Sequence, residues 1–385
     1  MTIRRNLTKS LASNGLHTAG AGGEALAVKT NNATGWFSCT QAGDGVPEAL
    51  SSSPEVSMAR VPIEMSVIGT HSPESINVTN VAVDGLSKLS RPTVVSCASG
   101  ARASALSWTM LGRTMQLNGT EVVMRGNANN EPWVKKPPLV SWVRASLSNS
   151  SKIRVRQLFE KVSSTFTYIL WCPITMDAII VDPVDCCVDR DIKLITELKL
   201  NVVYGVNTHA HADHITGTGI LKSKISNMKS VISLASGAKA DETVENFDQI
   251  CFGNSYVTVV NTPGHTSGCV CLVSSDEAFV LSGDTLLIRG CGRTDFQEGS
   301  SAVLFDSVRN KLFCNLADDV VVYPAHNYGG HLCSTIAEEK EYNPRLGLGK
   351  TVEEFTAIME GLNLSHPKMI DVAVPANLNC GFQDA

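Results

Sequence analysis

The sequence predicts an α+β protein: two β-sheets packed face to face with helices outside, in αββα order, preceded by a smaller α/β unit. Three observations carry this expectation. Short apolar blocks of strand length recur from Ile153 onward, in two runs that are each followed by a helical stretch. Motifs rich in His and Asp fall just after those blocks, so their side chains can gather at one edge of the sheets. A separate strand, loop and helix pattern lies upstream, around Cys97.

The bulk properties narrow the field. A chain of 385 residues suggests two domains and a tail. Hydrophobic residues at 43% and charged residues at 18% suit a globular protein with substantial cores. The net charge of −5 offers no basic patch for nucleic acid. No apolar run reaches the roughly 18 residues of a spanning helix, so no membrane segment is expected. The twelve cysteines form no CxxC pair, and read as free, mostly buried thiols in a reducing compartment.

From the amino terminus, Met1 to about Lys29 carries Arg4, Arg5, Lys9 and Lys29, with no acid until Glu24. That composition, rich in Ser, Thr, Ala and Gly, is that of an organelle transit peptide. Residues 1–45 are therefore read as a leader. The expected location is the mitochondrial matrix, with the cytoplasm as the alternative.

Residues 46–126 read as the small α/β unit. Arg91 to Ser96 is a strand, Cys97 to Arg102 a loop, and Ala103 to Leu111 helical. Such a layout can hold an anion over a thiolate: loop amides and the helix N-terminus point at the anion, and the same field lowers the thiol pKa. Arg102 would supply a planar fork for the oxyanion. Asn127 to Pro138 is polar and proline-rich, and 127–151 reads as a linker.

Residues 152–385 form the larger domain. Ile153–Phe159, Thr165–Cys172 and Ala178–Val181 read as antiparallel strands, closed by Asp182-Pro183. Asp189–Leu200 has apolar residues at helical spacing. The β-branched run Val202–Val206 then leads into Thr208-His209-Ala210-His211-Ala212-Asp213-His214, with a helix beginning soon after. Further strands are expected at Val231–Leu234, Val257–Val260, Cys269–Val273, Phe279–Leu281 and Val320–Val322. They are followed, in the relevant cases, by Pro263-Gly264-His265, Gly283-Asp284 and Pro324-Ala325-His326. Imidazole and carboxylate together suit zinc or iron better than calcium or magnesium.

His-x-His-x-Asp-His, Pro-Gly-His, Gly-Asp and Pro-Ala-His in this order resemble the metallo-β-lactamase superfamily. Ile288 to Phe296, with Arg289-Gly290-Cys291-Gly292-Arg293 at its centre, and Asn343-Pro344-Arg345-Leu346 resemble its persulfide dioxygenase branch more closely. The resemblance implies one Fe(II) per chain on His209, His265 and Asp284, with three coordination positions left for water, substrate and O2. It implies that glutathione persulfide and O2 are converted to sulfite and glutathione. His211, Asp213, His214 and His326 then act behind the ligands or, alternatively, hold a second metal. Asp182 resembles a buried carboxylate supporting the metal loop. Arg293 and Tyr328 are candidates to hold glutathione, though a structural ion pair with Asp295 is an alternative for Arg293. Cys291 is a candidate reactive thiol beside the pocket. Asn327 and Ser267 depart from the family's usual Asp and Pro, and His331 and His366 read as ordinary residues. A homodimer is the candidate assembly.

The Cys97 segment resembles the phosphatase-like domain that bacteria fuse to such dioxygenases, itself similar to rhodaneses and tyrosine phosphatases. Its Cys-x4-Arg loop is one residue short, and Ser96 replaces the usual His, which favours sulfur transfer over phosphatase chemistry. The fusion would let sulfur carried on Cys97 feed the iron site. The competing reading of the whole is a thioester hydrolase resembling glyoxalase II, with two metals. Against it, the segment after His326 is short for that family's helical domain.

Overall fold

The computed structural model describes the strands at 3–4, 16–19, 35–38, 57–60 and 93–96, together with residues 101–115, 117–135, 139–140, 143–144, 147 and 152–382. The chain divides into two compact units, Leu7–Asn149 and Met1–Asn6 with Ser150–Ala385. Strand β1 (Ile3–Arg4) pairs antiparallel with Gln249 and Ile250 and so belongs to the larger unit.

The smaller unit contains β2 (Leu16–Ala19), β3 (Gly35–Ser38), β4 (Ser57–Arg60) and β5 (Thr93–Ser96). They form a four-stranded sheet in the order β2-β5-β3-β4, parallel throughout. Helix Ala101–Met115 follows β5. Helix Gly119–Ala128 opens with a capping box, in which Asn118 and Glu121 exchange hydrogen bonds of 2.8 Å. Trp108, Leu111, Val122 and Trp133 are buried in this unit. The strand and helix flanking the cysteine loop fall where the sequence places them. Cys97 itself and the side chain of Arg102 lie outside the described residues.

The boundaries differ from the expected ones. Strands β2 and β3 fall within 1–45, the stretch read as a leader, and Pro132–Lys135 forms a helical turn inside 127–151. A four-residue strand such as Leu16-His17-Thr18-Ala19 is too short to show an alternation, so its partners, not its own pattern, define it.

In the larger unit the first sheet is built from β6 (Arg154–Glu160), β7 (Thr165–Trp171), β8 (Asp177–Val181), β9 (Asn201–Val206), β10 (Lys229–Ser233) and β11 (Glu242–Val244). Their order is β11-β10-β9-β8-β7-β6. The second sheet takes β12 (Gln249–Phe252), β13 (Ser255–Asn261), β14 (Val270–Ser274), β15 (Phe279–Gly283), β16 (Val321–Pro324) and β17 (Ser334–Thr335). They run in sequence order, with β1 beside β12. Each sheet begins as an antiparallel meander and turns parallel where a helix crosses over. Helix Val188–Glu197 joins the parallel pair β8/β9, and the helices between 301 and 313 join β15/β16.

The sheets pack through their inner faces. Phe166, Tyr168, Leu170, Ile179, Val181 and Tyr204 meet Phe252, Val257, Val259, Leu272 and Leu281 in one buried cluster. The outer face of the first sheet is also dry: Ile169, Ala178 and Ile180 lie under Val188 and Ile195 of the crossover helix. Burial on both faces explains why Thr165–Trp171 reads as an almost unbroken apolar run. This is the expected αββα sandwich.

Candidate metal centre

Parallel neighbours end at the same edge of a sheet, and the centre is assembled from that fact. Val181 pairs with Val206, so Asp182, after β8, meets the loop that follows β9. Gly283 pairs with Pro324, so Asp284, after β15, meets His326, after β16. His265 arrives from β13 through Gly264. That glycine has φ +133, and a Cβ there would lie 2.3 Å from the Leu304 nitrogen, so only glycine fits.

Two groups of donors result. Donor atoms of His209, His265 and Asp284 lie within 4.8 Å of one another, and so do those of His211, Asp213, His214 and His326. The predicted triad and the predicted surrounding residues are therefore brought together, and all three triad residues are buried.

The hydrogen bonds behind the triad decide which atoms are free. Both Asp182 oxygens face Thr208: Oδ1 accepts its N–H and Oδ2 its hydroxyl, each at 2.8 Å. With its proton given to Asp182, Thr208 Oγ1 is an acceptor for His209 Nδ1–H at 3.0 Å. His265 Nδ1–H donates to the Arg293 carbonyl at 2.7 Å. Both rings thus keep Nε2 as a lone-pair donor. Burial, followed by the neighbouring His211, pushes the His209 pKa well below its usual value, so this ring is neutral. Asp284 Oδ1 meets His326 Nδ1 at 2.6 Å, and Oδ2 stands 3.6 Å from His265 Nε2. Burial alone would raise the Asp284 pKa, but His326 outweighs it and holds the carboxyl below its usual range.

His326 is gripped at both ends. Its Nε2 meets Asp213 Oδ2 at 3.0 Å, and that oxygen is also 3.0 Å from His214 Nδ1. Burial opposes charge on His326, yet Asp284 and Asp213 raise its pKa well above the usual value. His211 Nε2 stands 3.1 Å from Asp182 Oδ1, out of line for a hydrogen bond, and His211 Nδ1 and His214 Nε2 are buried without a hydrogen bond among the described residues.

The triad floors a cleft of about 530 Å³, walled by Leu287 to Arg293 and rimmed by Tyr328, His331, Arg345 and residues 364–368. The Arg-Gly-Cys-Gly-Arg wall and the Asn-Pro-Arg-Leu motif belong together physically. Glu339 accepts the backbone N–H of Arg289 at 2.9 Å and also pairs with its guanidinium, while Asn343 Nδ2 donates to Gly290 O at 3.1 Å.

Three expectations change at this wall. Arg293 lines the cleft and places its guanidinium on Asp295, through two bonds of 2.7 Å, and on the Ser365 carbonyl, so the ion pair weighed as its alternative is present. Cys291 lines the cleft but is buried, and burial pushes its thiol up to about 11, only partly offset by Arg345, which works against a thiolate there. His331 and His366, read as ordinary residues, both line the cleft, as do Arg345 and Lys368. Tyr328 stays where expected, stacked on His326 with 5.9 Å between ring centres and 10° between planes. Arg345 alone had a sequence signal, its place in the Asn-Pro-Arg-Leu motif. His366 and Lys368 lie in an irregular segment that carries none.

A model of the metallo-beta-lactamase superfamily matches residues 236–326. The chain is 50% identical over 235 residues to "Persulfide dioxygenase ETHE1, mitochondrial" of Homo sapiens, a match that covers 61% of this chain and 91% of that protein. It is 38% identical over 123 residues to the hydroxyacylglutathione hydrolase of Brucella ovis, covering 31% of this chain and 46% of that one. Among solved structures, ETHE1 from Myxococcus xanthus matches with a TM-score of 0.57 at 44% identity, over 60% of this chain and 100% of that chain.

The buried thiol gives a direct check. With a pKa near 11, on the order of one Cys291 in a thousand is thiolate at pH 8. Iodoacetamide should therefore label the exposed Cys186, Cys314 and Cys333 long before Cys291. Peptide mass spectrometry showing equal rates would refute the assignment.

Proposed function

The chain belongs to the persulfide dioxygenase family, and we propose that its larger unit oxidises glutathione persulfide with O2 and water to glutathione and sulfite at one ferrous ion. The observation that supports a single ion is the engagement of His326. Asp284 meets its Nδ1 at 2.6 Å and Asp213 its Nε2 at 3.0 Å, so in this arrangement His326 orients the triad's carboxylate. His209 Nε2, His265 Nε2 and Asp284 Oδ2 remain to hold the one ion, a two-histidine, one-carboxylate donor set that suits ferrous iron. Iron bound there would supply the redox chemistry that activates O2, which zinc lacks.

The chain's own residues account for substrate choice. Glutathione persulfide carries two carboxylates and one ammonium, and the cleft offers matching cations. Arg345 and Lys368 line it with no carboxylate at ion-pair distance among the described residues. They would hold the glutathione carboxylates at the rim while the terminal sulfur reaches the floor. Arg345 is steadied by donating to the Cys291 carbonyl at 3.3 Å. Leu287 and Leu364 supply apolar wall between rim and floor. The burial of His209, His265 and Asp284 limits water at the reacting end.

A second reading has one observation in its favour. His211 and His214, the latter with Nε2 free of a hydrogen bond among the described residues, converge with Asp213 and His326 and could receive another metal, as in a thioester hydrolase with a dinuclear site. Metal analysis of the purified chain, with O2 uptake on glutathione persulfide, separates the two. One iron per chain with O2 consumed and sulfite formed is expected. Two zinc ions with thioester cleavage and no O2 uptake would replace the proposal. Arg345→Ala should raise KM for glutathione persulfide roughly tenfold and leave kcat within about threefold, as loss of a charge-assisted hydrogen bond requires. An unchanged KM would remove Arg345 from the binding site.

For the smaller unit we propose sulfur transfer. The Cys97 thiolate would take the outer sulfur of thiosulfate, releasing sulfite and leaving a cysteine persulfide, with Arg102 holding the oxyanion. Cys97→Ser should abolish thiosulfate-dependent persulfide formation; transfer that survives would exclude Cys97 as the carrier. We place the protein in the mitochondrial matrix, because the human relative is named as mitochondrial. No helix among the described residues is long and apolar enough to cross a membrane.

A further inference from the structure

The carboxy-terminal helix Ile370–Leu378 reaches back to the histidine loop through one side chain, Asn377. That residue is buried, at 3% exposure. Its Nδ2 donates to the carbonyls of His211 and His214, both at 2.8 Å, and its Oδ1 accepts the N–H of Thr216, also at 2.8 Å. Both amide protons and the amide oxygen are thus in use, on three backbone groups of one six-residue turn. A second observation shows that the contact is built rather than incidental. The chain beyond the helix closes tightly on this loop and on the helix Thr218–Lys224 that follows it: a Cβ on Gly381, at φ +84, would lie 2.4 Å from the Thr216 carbonyl, and one on Gly219 would lie 2.4 Å from that of Cys380. The Leu378 carbonyl is tied in turn to Lys239 N–H at 2.8 Å.

We propose that Asn377 is a positioning residue for the metal centre, a latch that fixes the backbone from His211 to Thr216 and through it the directions of His211, Asp213 and His214, the group packed beside the triad. The proposal rests on the reading that this loop serves a metal. The physical reason is the cost of the alternative. Two buried carbonyls and one buried N–H would otherwise lack partners, and a loop relaxing to satisfy them would turn its imidazoles away from one point. A primary amide suits the position because it offers two donors and an acceptor in one plane. Asp offers only acceptors, and would set a carboxylate against two carbonyl oxygens.

The test compares the wild-type chain with Asn377→Asp and Asn377→Ala. The readouts are the rate at which a chelator strips bound metal and the visible spectrum of the cobalt-loaded protein. Both variants should release metal roughly 10- to 100-fold faster, the usual consequence of losing a group that orients a ligand. Their cobalt spectra should change as well. Asn379→Ala, at the end of the same helix, should do neither. Release and spectra equal to wild type in the Asn377 variants would overturn the latch. Failure of the wild-type chain itself to hold metal would instead overturn the reading beneath it. Should neither variant fold, the wild-type protein still decides: the Thr216 amide should exchange with solvent as slowly as the sheet core, and exchange at the rate of an open loop would overturn the proposal.

Discussion

A metal ligand must present a lone pair in a fixed direction, and in this protein that direction is set from behind. Asp182 is the root of the arrangement. It is buried, holds φ +50, and commits both oxygens to Thr208. The commitment turns the threonine hydroxyl into an acceptor, which in turn fixes the proton on His209 Nδ1 and frees Nε2. The Arg293 carbonyl does the same for His265, and His326 does it for Asp284. Without those partners the three side chains would be buried polar groups with no orientation and a large desolvation cost.

The sandwich exists, in functional terms, to bring those partners to one edge. Each sheet switches from antiparallel to parallel once, and the pair at the switch delivers a carboxylate beside a histidine-bearing turn: Asp182 beside the His209 loop, Asp284 beside His326. The sheets are joined near this edge by Val270 N–H to Thr208 O at 3.0 Å. A dry core packed from both inner faces keeps the edge from shifting, and dense packing transmits strain rather than absorbing it.

Charge is partitioned with the same economy. Around the floor, carboxylates and imidazoles stand against one another: His211 Nε2 is 3.1 Å from Asp182 Oδ1, and His326 lies between Asp284 and Asp213. Along the wall, Arg289 and Arg293 are paired with Glu338, Glu339 and Asp295. Arg345 and Lys368 are left facing the cleft. A cleft faced by two cations with no carboxylate at ion-pair distance among the described residues favours an anion that enters with its reactive end first.

Several features of this design are written in the chain itself. A β-branched strand ending in His-x-His-x-Asp-His, and three later strands ending in His265, Asp284 and His326, are local patterns, and each stands where its own residues predict. The apolar blocks that make the sandwich are equally local, because strand burial follows from alternation or continuity within a few residues. What the sequence could not decide is which partner each polar group chooses. Arg293 looks like an anion clamp until Asp295 and the Ser365 carbonyl are seen to occupy it. Cys291 looks reactive until its burial is known. His366, Lys368 and Asn377 come from a carboxy-terminal segment more than a hundred residues from the histidine loop, with no period that points there. Local pattern fixes which residues stand at strand ends; only long-range packing determines which of them meet, because hydrogen-bond partners and burial depend on distances that a linear order does not contain.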